Sequence, residues 1–162
     1  IEMGDYHKSK GNEYLKNGDW INAVKCYKKA INCCPNSAAY HSNTAKAFYD
    51  GKQYSNGLNY ALKCIKIDDE YIKGYWRVGN GHELLNNIKQ ALNAYKKGVS
   101  LIKDKNNDMY KEFMDKIIAC NERLKNSNKH VKTKRFHCQK CGKMFNNKNE
   151  KKKHKKKCQK RK

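Results

Sequence analysis

Apolar and small residues in the first two thirds of the chain recur at spacings of three and four, the periodicity of amphipathic helices. The same region matches itself when it is shifted so that Gly11, Ala45 and Gly79 align. Turn-forming residues divide each unit in half: Gly18-Asp19, Gly51 and Asn86-Asn87. The pattern predicts three units, at about 4–37, 38–71 and 72–105, each a pair of antiparallel helices.

A further amphipathic helix follows the third unit. Within residues 107–126, the apolar positions form one stripe: Met109, Phe113, Met114, Ile117, Ile118 and Leu124. This stripe suits a helix that covers the apolar face of the last unit.

Glycines at 57 and 98 lie in helix interiors, where each costs roughly 1 kcal/mol of stability relative to alanine. The second and third units should therefore be less stable than the first.

The repeat positions resemble those of the tetratricopeptide repeat family. The residues that carry the resemblance in the first unit are Gly11, Tyr14, Ala23, Tyr27, Ala30 and Pro35, with counterparts at the equivalent positions of the second and third units. The resemblance covers about residues 1–105 and implies an all-α solenoid of three helical hairpins with a capping helix. We assign residues 1–126 to this domain, 127–135 to a basic flexible linker and 136–162 to a second unit.

Five polar residues occupy related places on the first helices of the three units. Lys8 and Asn12 are four apart, Lys73 and Arg77 are again four apart, and Asn43 and Arg77 hold equivalent positions in successive units. If the small residues face the core, these side chains line the inner groove, where three cations and two amides suit closely spaced carboxylates. The alternative is an ordinary solvated face, since the chain is rich in lysine and asparagine.

The motifs around these residues resemble the two-carboxylate clamp of tetratricopeptide co-chaperones, as "KSKGN", Ser42-Asn43 and "KGYWR". The resemblance implies that the groove binds the C-terminal Glu-Glu-Val-Asp of 70- or 90-kDa heat-shock chaperones. The final Asp would be held by Lys8, Asn12, Asn43 and Lys73. Arg77 would bind an upstream acceptor or help with the carboxylates. Candidate contacts to residues before the final Asp are Leu15, Lys46 and Tyr49.

Cysteine and histidine spacing near the end of the chain indicates a metal site. Two residues separate Cys138 from Cys141, twelve separate Cys141 from His154, and three separate His154 from Cys158. Three thiolates and one imidazole can complete a closed tetrahedral Zn2+ site, which is structural rather than catalytic. The segment looks like a C2H2-type zinc finger, a small ββα unit, with Cys as its last ligand. Lys151 departs from that pattern because the family has leucine there. We therefore expect a unit that is only marginally stable and depends on the metal for folding.

Charge is concentrated at the end of the chain. Residues 129–162 hold 16 Lys/Arg and 1 Asp/Glu, a net +15, out of +22 for the whole protein. Such asymmetry favours a polyanion partner, RNA, the ribosome or DNA, although a solubilising tail is the simpler interpretation. Candidate nucleic-acid contacts are Lys148, Lys151, Lys153 and Lys155.

No phosphate-binding glycine loop, open metal site or nucleophile–base pair is evident, so we expect a non-enzymatic adaptor. Cysteines in predicted helices favour a reducing compartment, the cytosol or also the nucleus. The chain lacks an apolar run long enough for a membrane span, and we expect a monomer without membrane contact. The principal hypothesis is a co-chaperone; the alternative is a nucleic-acid- or ribosome-associated zinc-finger protein whose repeats scaffold another partner.

Overall fold

The computed structural model describes residues 2–133, 136–138, 141–145 and 148–159, excluding the side chains of 128–133, 136, 148 and 155–159. Seven helices come first: α1 Glu2–Lys16, α2 Trp20–Cys33, α3 Ala38–Asp50, α4 Tyr54–Ile67, α5 Ile72–Leu84, α6 Ile88–Ser100 and α7 Asp108–Thr133. Strands β1 Phe136–His137 and β2 Met144–Phe145 and helix α8 Lys148–Gln159 follow. The predicted all-α solenoid of three helical hairpins is confirmed for the first part of the chain.

The three hairpins turn at equivalent residues. Gly18, Lys52 and Asn86 hold the same position in successive repeats and have positive φ angles of 77°, 59° and 60°. The left-handed residue of the second turn is therefore Lys52 rather than Gly51. Gly51 is required for a different reason: a Cβ there would collide with the indole of Trp20. In the first hairpin the Asp19 carboxylate accepts a hydrogen bond from the backbone N–H of Asn22 at 3.0 Å and so caps α2.

Each of the outer hairpins packs a glycine of its first helix against an aromatic ring of its second. A Cβ at Gly11 would collide with the ring of Tyr27, and a Cβ at Gly79 would collide with the ring of Tyr95. Both rings are fully buried. The two contacts involve equivalent positions, as expected of a repeat, and they allow the two helix axes to approach closely. The core of the solenoid runs through these ring-against-glycine contacts.

Helix α7 covers the third hairpin through Phe113, which is fully buried. Its ring centroid lies 5.0 Å from that of Trp76 in an edge-to-face arrangement. The Lys116 ammonium also donates to Glu83 at 2.8 Å, and the Tyr95 hydroxyl donates to the same carboxylate oxygen at 2.7 Å. The amphipathic stripe predicted for residues 107–126 is thus a capping helix.

The capping helix extends further than the sequence pattern predicts. Its backbone is helical to Thr133, across most of residues 127–135, for which the composition predicts a flexible linker. No glycine or proline interrupts residues 120–133, and helix propagation adds one hydrogen bond for each residue fixed, so the helix continues.

The chain divides after Asn121 into two compact units, Ile1–Asn121 and Glu122–Lys162.

The second unit contains a short strand pair and a helix. β1 and β2 are antiparallel, with Phe136 opposite Phe145 and His137 opposite Met144. Gly142 turns the chain between them with a φ of 70°, and its N–H donates to the Cys138 carbonyl at 2.8 Å. Helix α8 then brings His154 beside the Phe145 ring. Among the residues described, no helix is long and apolar enough to cross a membrane.

Replacing Gly98 by Ala should destabilise the protein, although alanine is the better helix former. A Cβ at Gly98 would lie 2.7 Å from Phe113 Cζ and 3.1 Å from Tyr75 Cβ. Overpacking costs about 1–3 kcal/mol, which exceeds the roughly 1 kcal/mol gained in helix propensity. Urea denaturation should show a lower free energy of unfolding. The control is Ser55→Ala, an exposed position in α4, which should not lose stability. A Gly98→Ala variant more stable than the parent would contradict the packing account.

Candidate carboxylate-binding groove

The five predicted groove residues lie on the first helix of their hairpins: Lys8 and Asn12 on α1, Asn43 on α3, Lys73 and Arg77 on α5. Two hydrogen bonds connect these first helices. The Tyr40 hydroxyl of α3 donates to the Asp5 carboxylate of α1 at 3.1 Å. The Tyr49 hydroxyl of α3 donates to the Arg77 carbonyl of α5 at 2.9 Å. The helices that carry the predicted residues are therefore held beside one another by tyrosine side chains.

Lys8 is paired with an acid that was not among the predicted groove residues. Its ammonium donates to Asp5 at 2.5 Å and lies 5.9 Å from the centre of the Tyr40 ring. Hydrogen bonds from Lys8 and then from Tyr40 hold the pKa of Asp5 below its usual range. The three residues line one cleft of about 500 Å3 together with the loop between α2 and α3. The spacing of Asp5 and Lys8 is a signal for this pair, but Tyr40 could not be found from spacing.

Asn12 is oriented by a buried tyrosine. The Tyr27 hydroxyl donates to Asn12 Oδ1 at 2.7 Å. Burial raises the pKa of Tyr27 to about 12, so the phenol remains protonated and keeps its role as donor. With its oxygen occupied, the Asn12 amide has its N–H groups to offer to an acceptor. Asn43 is half-buried on α3.

Within the part of the chain that the structure describes, the two cations of α5 form no ion pair with a carboxylate. Among the residues that the structure describes, neither Lys73 nor Arg77 has an ion pair within 4.0 Å. Arg77 is the more buried of the two, and its Nε is inaccessible to solvent without a hydrogen-bond partner. Burial lowers the pKa of the Arg77 guanidinium, while electrostatic interactions with Tyr49 and Asp50 oppose that shift. A half-buried cation without an ion-pair partner is stabilised by an incoming anion.

The three candidates for contacts further along the groove differ in their surroundings. Leu15 packs against the core cluster formed around Tyr27 and Phe48. Lys46 pairs with Asp50 at 2.7 Å. Tyr49 is only 7% exposed, and its hydroxyl is committed to the Arg77 carbonyl. In this structure Tyr49 therefore supports the backbone of Arg77 rather than presenting a side chain to the groove.

Three of the four predicted zinc ligands lie together in the second unit. The ligand atoms of Cys138, Cys141 and His154 are all within 4.8 Å of one another, and Cys141 Sγ is 3.1 Å from His154 Nε2. The His154 ring packs against Phe145, with 4.8 Å between centroids. The Cys158 side chain lies outside the described residues. Two thiols and an imidazole at such distances are the donor set that Zn2+ prefers.

The lysines predicted to contact nucleic acid all belong to α8. Lys153 is exposed and Lys151 is half-buried. The side chains of Lys148 and Lys155 lie outside the described residues. Lys151 and Lys153 are not on one face, since residues two apart on a helix point in different directions.

The helical hairpins have the fold of a tetratricopeptide repeat solenoid, and residues 11–51 match the TPR repeat family. Human serine/threonine-protein phosphatase 5 is 33% identical over 125 residues, which is 77% of this chain and 24% of that protein. Wheat Hsp70-Hsp90 organizing protein is 31% identical over 128 residues, 79% of this chain and 21% of that protein. The chain thus spans a quarter or less of either relative.

Among solved structures, the first TPR domain of Spaghetti (RPAP3) bound to the HSP90 peptide SRMEEVD is similar to this chain with a TM-score of 0.70. The sequences are 24% identical, and the match covers 76% of this chain and 96% of that domain. At this identity the likeness establishes the shared fold.

Replacing Asp5 by Asn should strengthen carboxylate binding in the groove. Asp5 occupies the Lys8 ammonium in the free protein, so a ligand carboxylate must displace it. The affinity for a peptide with a free C-terminal Asp, the ligand type that the sequence predicts, should rise about two- to fivefold, the range for an exposed ion pair. Isothermal titration calorimetry measures the change, and Asp69→Asn, an exposed acid before α5, controls for net charge. A weaker affinity for Asp5→Asn would show that Asp5 instead positions Lys8.

Proposed function

We propose that this domain is a co-chaperone module that binds the C-terminal Glu-Glu-Val-Asp tail of 70- or 90-kDa heat-shock chaperones. The observation that carries the proposal is Arg77, a half-buried guanidinium with no carboxylate within ion-pair distance among the described residues. The tail would supply the missing anion. Charge-assisted pairing of the guanidinium with that carboxylate offsets the desolvation that Arg77 already bears in the free protein.

The other predicted residues suit the same ligand. Lys73 is exposed and free of ion pairs within the described structure, so it can take a carboxylate without first losing a partner. The Asn12 amide has its N–H groups available because its oxygen accepts from Tyr27. Asn43 adds a second amide from the adjacent helix. A terminal Asp carries two carboxylates on one residue, which matches two ammonium groups flanked by amide donors.

The compared proteins support this ligand class. One relative is named an Hsp70-Hsp90 organizing protein, and the Spaghetti domain is bound to a peptide that ends in Glu-Glu-Val-Asp. Both likenesses cover the repeats of this chain. The choice between 70- and 90-kDa chaperones depends on contacts upstream of the shared terminal residues, because the acidic ending is common to both tails.

The proposal predicts that binding requires the free terminal carboxylate. The peptide SRMEEVD should bind, whereas its C-terminally amidated form should bind at least about tenfold more weakly, since a charged hydrogen bond contributes roughly 1.5–3 kcal/mol. The double variant Lys8→Ala with Lys73→Ala should lose affinity to the same degree or more. Titration calorimetry or fluorescence anisotropy measures both effects.

The matched control removes the same charge from the second helices of the same two repeats. Lys29→Ala with Lys96→Ala alters exposed residues of α2 and α6 and should leave the affinity within about twofold of the parent, as expected for surface charges distant from a site. Equal losses in the two double variants would indicate a general charge effect, and insensitivity to amidation would exclude the clamp.

The second unit has a function of its own in this proposal: Cys138, Cys141, His154 and Cys158 hold one structural Zn2+. The close approach of the first three ligand atoms supports it. Zinc would favour the deprotonated thiolates and would fix α8 against the strand pair. That helix is the lysine-rich element for which the sequence predicts a polyanion partner, so metal binding would also set the arrangement of its charges.

Cobalt substitution tests the metal site. The 162-residue chain should bind one Co2+ with the visible absorption of tetrahedral thiolate coordination, and Zn2+ should displace it. Cys141→Ser and Cys158→Ser should each weaken binding by about tenfold or more, since each removes a thiolate ligand. Cys33→Ser is the control, because Cys33 is an exposed cysteine at the end of α2. Tetrahedral absorption unchanged in Cys141→Ser would refute the assignment.

A further inference from the structure

Charge is divided unequally between the first and second helices of the hairpins. The second helices α2, α4 and α6 contain eight lysines and no aspartate or glutamate. Residues 1–128 hold 14 acidic residues, and none of them lies on these three helices, so a lysine-rich composition does not by itself explain the division. We call the surface formed by the lysines of α2, α4 and α6 the outer lysine face.

The lysines of this face keep their charge unneutralised. All eight are exposed, and none of them forms an ion pair within 4.0 Å with a residue that the structure describes. The first helices differ, because Lys8, Lys10 and Lys46 each pair with an acid of their own helix. The positive potential of the hairpins is therefore concentrated on the second helices.

Three of these lysines form a row across the repeats. They hold the same position in successive second helices: Lys29, Lys63 and Lys97. The residue that follows each of them is buried: Ala30, Cys64 and Gly98. A buried neighbour at the same place sets the same rotation for each helix, so the three lysines leave their helices in equivalent directions. The row is a consequence of the repeat itself.

The second helices form the outer side of the solenoid. The first helices α3 and α5 pack more closely against each other than α2 packs against α4 or α4 against α6. A stack in which the first helices converge and the second helices diverge is curved, with the second helices on its convex side. The outer lysine face is therefore separate from the groove to which the proposed function assigns a peptide.

Aromatic rings lie among the lysines. The Lys63 ammonium is 5.3 Å from the centre of the Tyr60 ring, and the Lys28 ammonium is 5.9 Å from that of Phe48. The two rings stack on each other with 5.5 Å between centroids, and Tyr60 remains half-buried. A basic surface with a partly accessible aromatic ring is the combination with which proteins bind single-stranded nucleic acids.

The chemistry of the face favours a flexible polyanion. It contains lysine and no arginine, so it offers point charges to phosphates rather than the bidentate donors that recognise bases. Lys25 and Lys29 are four apart on α2, where like charges repel, and an anion relieves that repulsion. Duplex DNA is stiff over about 150 bp and would touch a convex surface only briefly, whereas a single strand can follow it. Single-stranded segments are characteristic of RNA.

We propose that the outer lysine face binds the phosphate backbone of single-stranded RNA irrespective of base sequence, while the groove on the other side of the hairpins stays open to its peptide. The site is distinct from the lysine-rich helix α8 and does not depend on the proposed function. A chain with both activities joins an RNA to the partner held in the groove.

RNA binding by the whole 162-residue chain tests the proposal. Fluorescence anisotropy measures the affinity for polyuridine RNA over a range of salt concentrations. The triple variant Lys29→Gln, Lys63→Gln and Lys97→Gln should bind at least about tenfold more weakly near physiological salt. The slope of log affinity against log salt should fall by about two, because each phosphate contact on a single strand contributes about 0.7.

The matched control removes the same charge from elsewhere in the repeats and the capping helix. Lys10→Gln, Lys16→Gln and Lys111→Gln alter exposed residues of α1 and α7 and should change the RNA affinity by less than about threefold. Equal losses in the two triple variants would show that net charge alone binds the RNA. No loss in either would show that the end of the chain binds it. Both results would refute the outer lysine face.

Further ligands test the choice of partner. Polycytidine RNA should bind within about threefold of polyuridine, since phosphate contacts carry no sequence information. Duplex DNA should bind more weakly than either RNA. Duplex DNA that binds as tightly, or phosphatidylserine vesicles that bind through the same three lysines while RNA does not, would overturn the assignment of RNA.

The peptide separates this proposal from the proposed function. The triple variant of the row should bind SRMEEVD within about twofold of the parent, and saturating RNA should not displace the peptide. RNA that displaces it would lie in the groove, which would refute the outer lysine face. A parent protein that binds RNA through the row but does not bind SRMEEVD would refute the proposed function alone. Circular dichroism and thermal unfolding confirm that each variant is folded.

Discussion

The structure depends on the contact between a glycine of one helix and a tyrosine ring of another. Tyr27 fills the space left by Gly11, Tyr49 the space left by Gly57, and Tyr95 the space left by Gly79. The hydroxyls then reach the helices that carry the groove: those of Tyr27, Tyr49 and Tyr95 donate to Asn12, to the Arg77 carbonyl and to Glu83. The same side chains therefore provide both the packing and the placement of polar groups.

The groove that results is electrostatically uneven. Lys8 is already paired with Asp5, whereas Arg77 is half-buried with its Nε unpartnered. In the proposed complex, a ligand carboxylate would displace Asp5 from Lys8 at one end and would pair with the Arg77 guanidinium at the other. Since a pre-existing ion pair must be broken before Lys8 can bind, most of the gain in free energy on ligand binding should come from the α5 side. A cavity lined by Lys73, Trp76 and Arg77 of α5 and by Met109 and Glu112 of α7 lies on that side too.

Most of the repeat architecture could be predicted from the sequence, because a fixed repeat period and its turn residues are local signals. The glycines show the limit of such signals. Helix propensity alone predicts that Gly57 and Gly98 destabilise their helices. In the structure, the absence of a Cβ at these positions leaves room for the rings of Tyr49 and Phe113. The end of α7 shows a second limit, since its polar composition predicts a linker while the backbone remains helical to Thr133. Helix length there depends on propagation rather than on apolar periodicity.

By itself the sequence determined the three helical hairpins and the capping helix, and it predicted the five candidate groove residues, because each follows from spacing along one helix or across one repeat. It also brought Cys138, Cys141 and His154 into one predicted site, and those three lie together. Only the tertiary structure decided how the groove residues are partnered. Tyr40 and Asp5 belong to different repeats, and Met109 of the capping helix lines the same cavity as Arg77 of α5, so neither relation leaves a trace in local spacing. Partners that meet through packing between repeats are set by the stacking of helices, which a linear pattern does not contain.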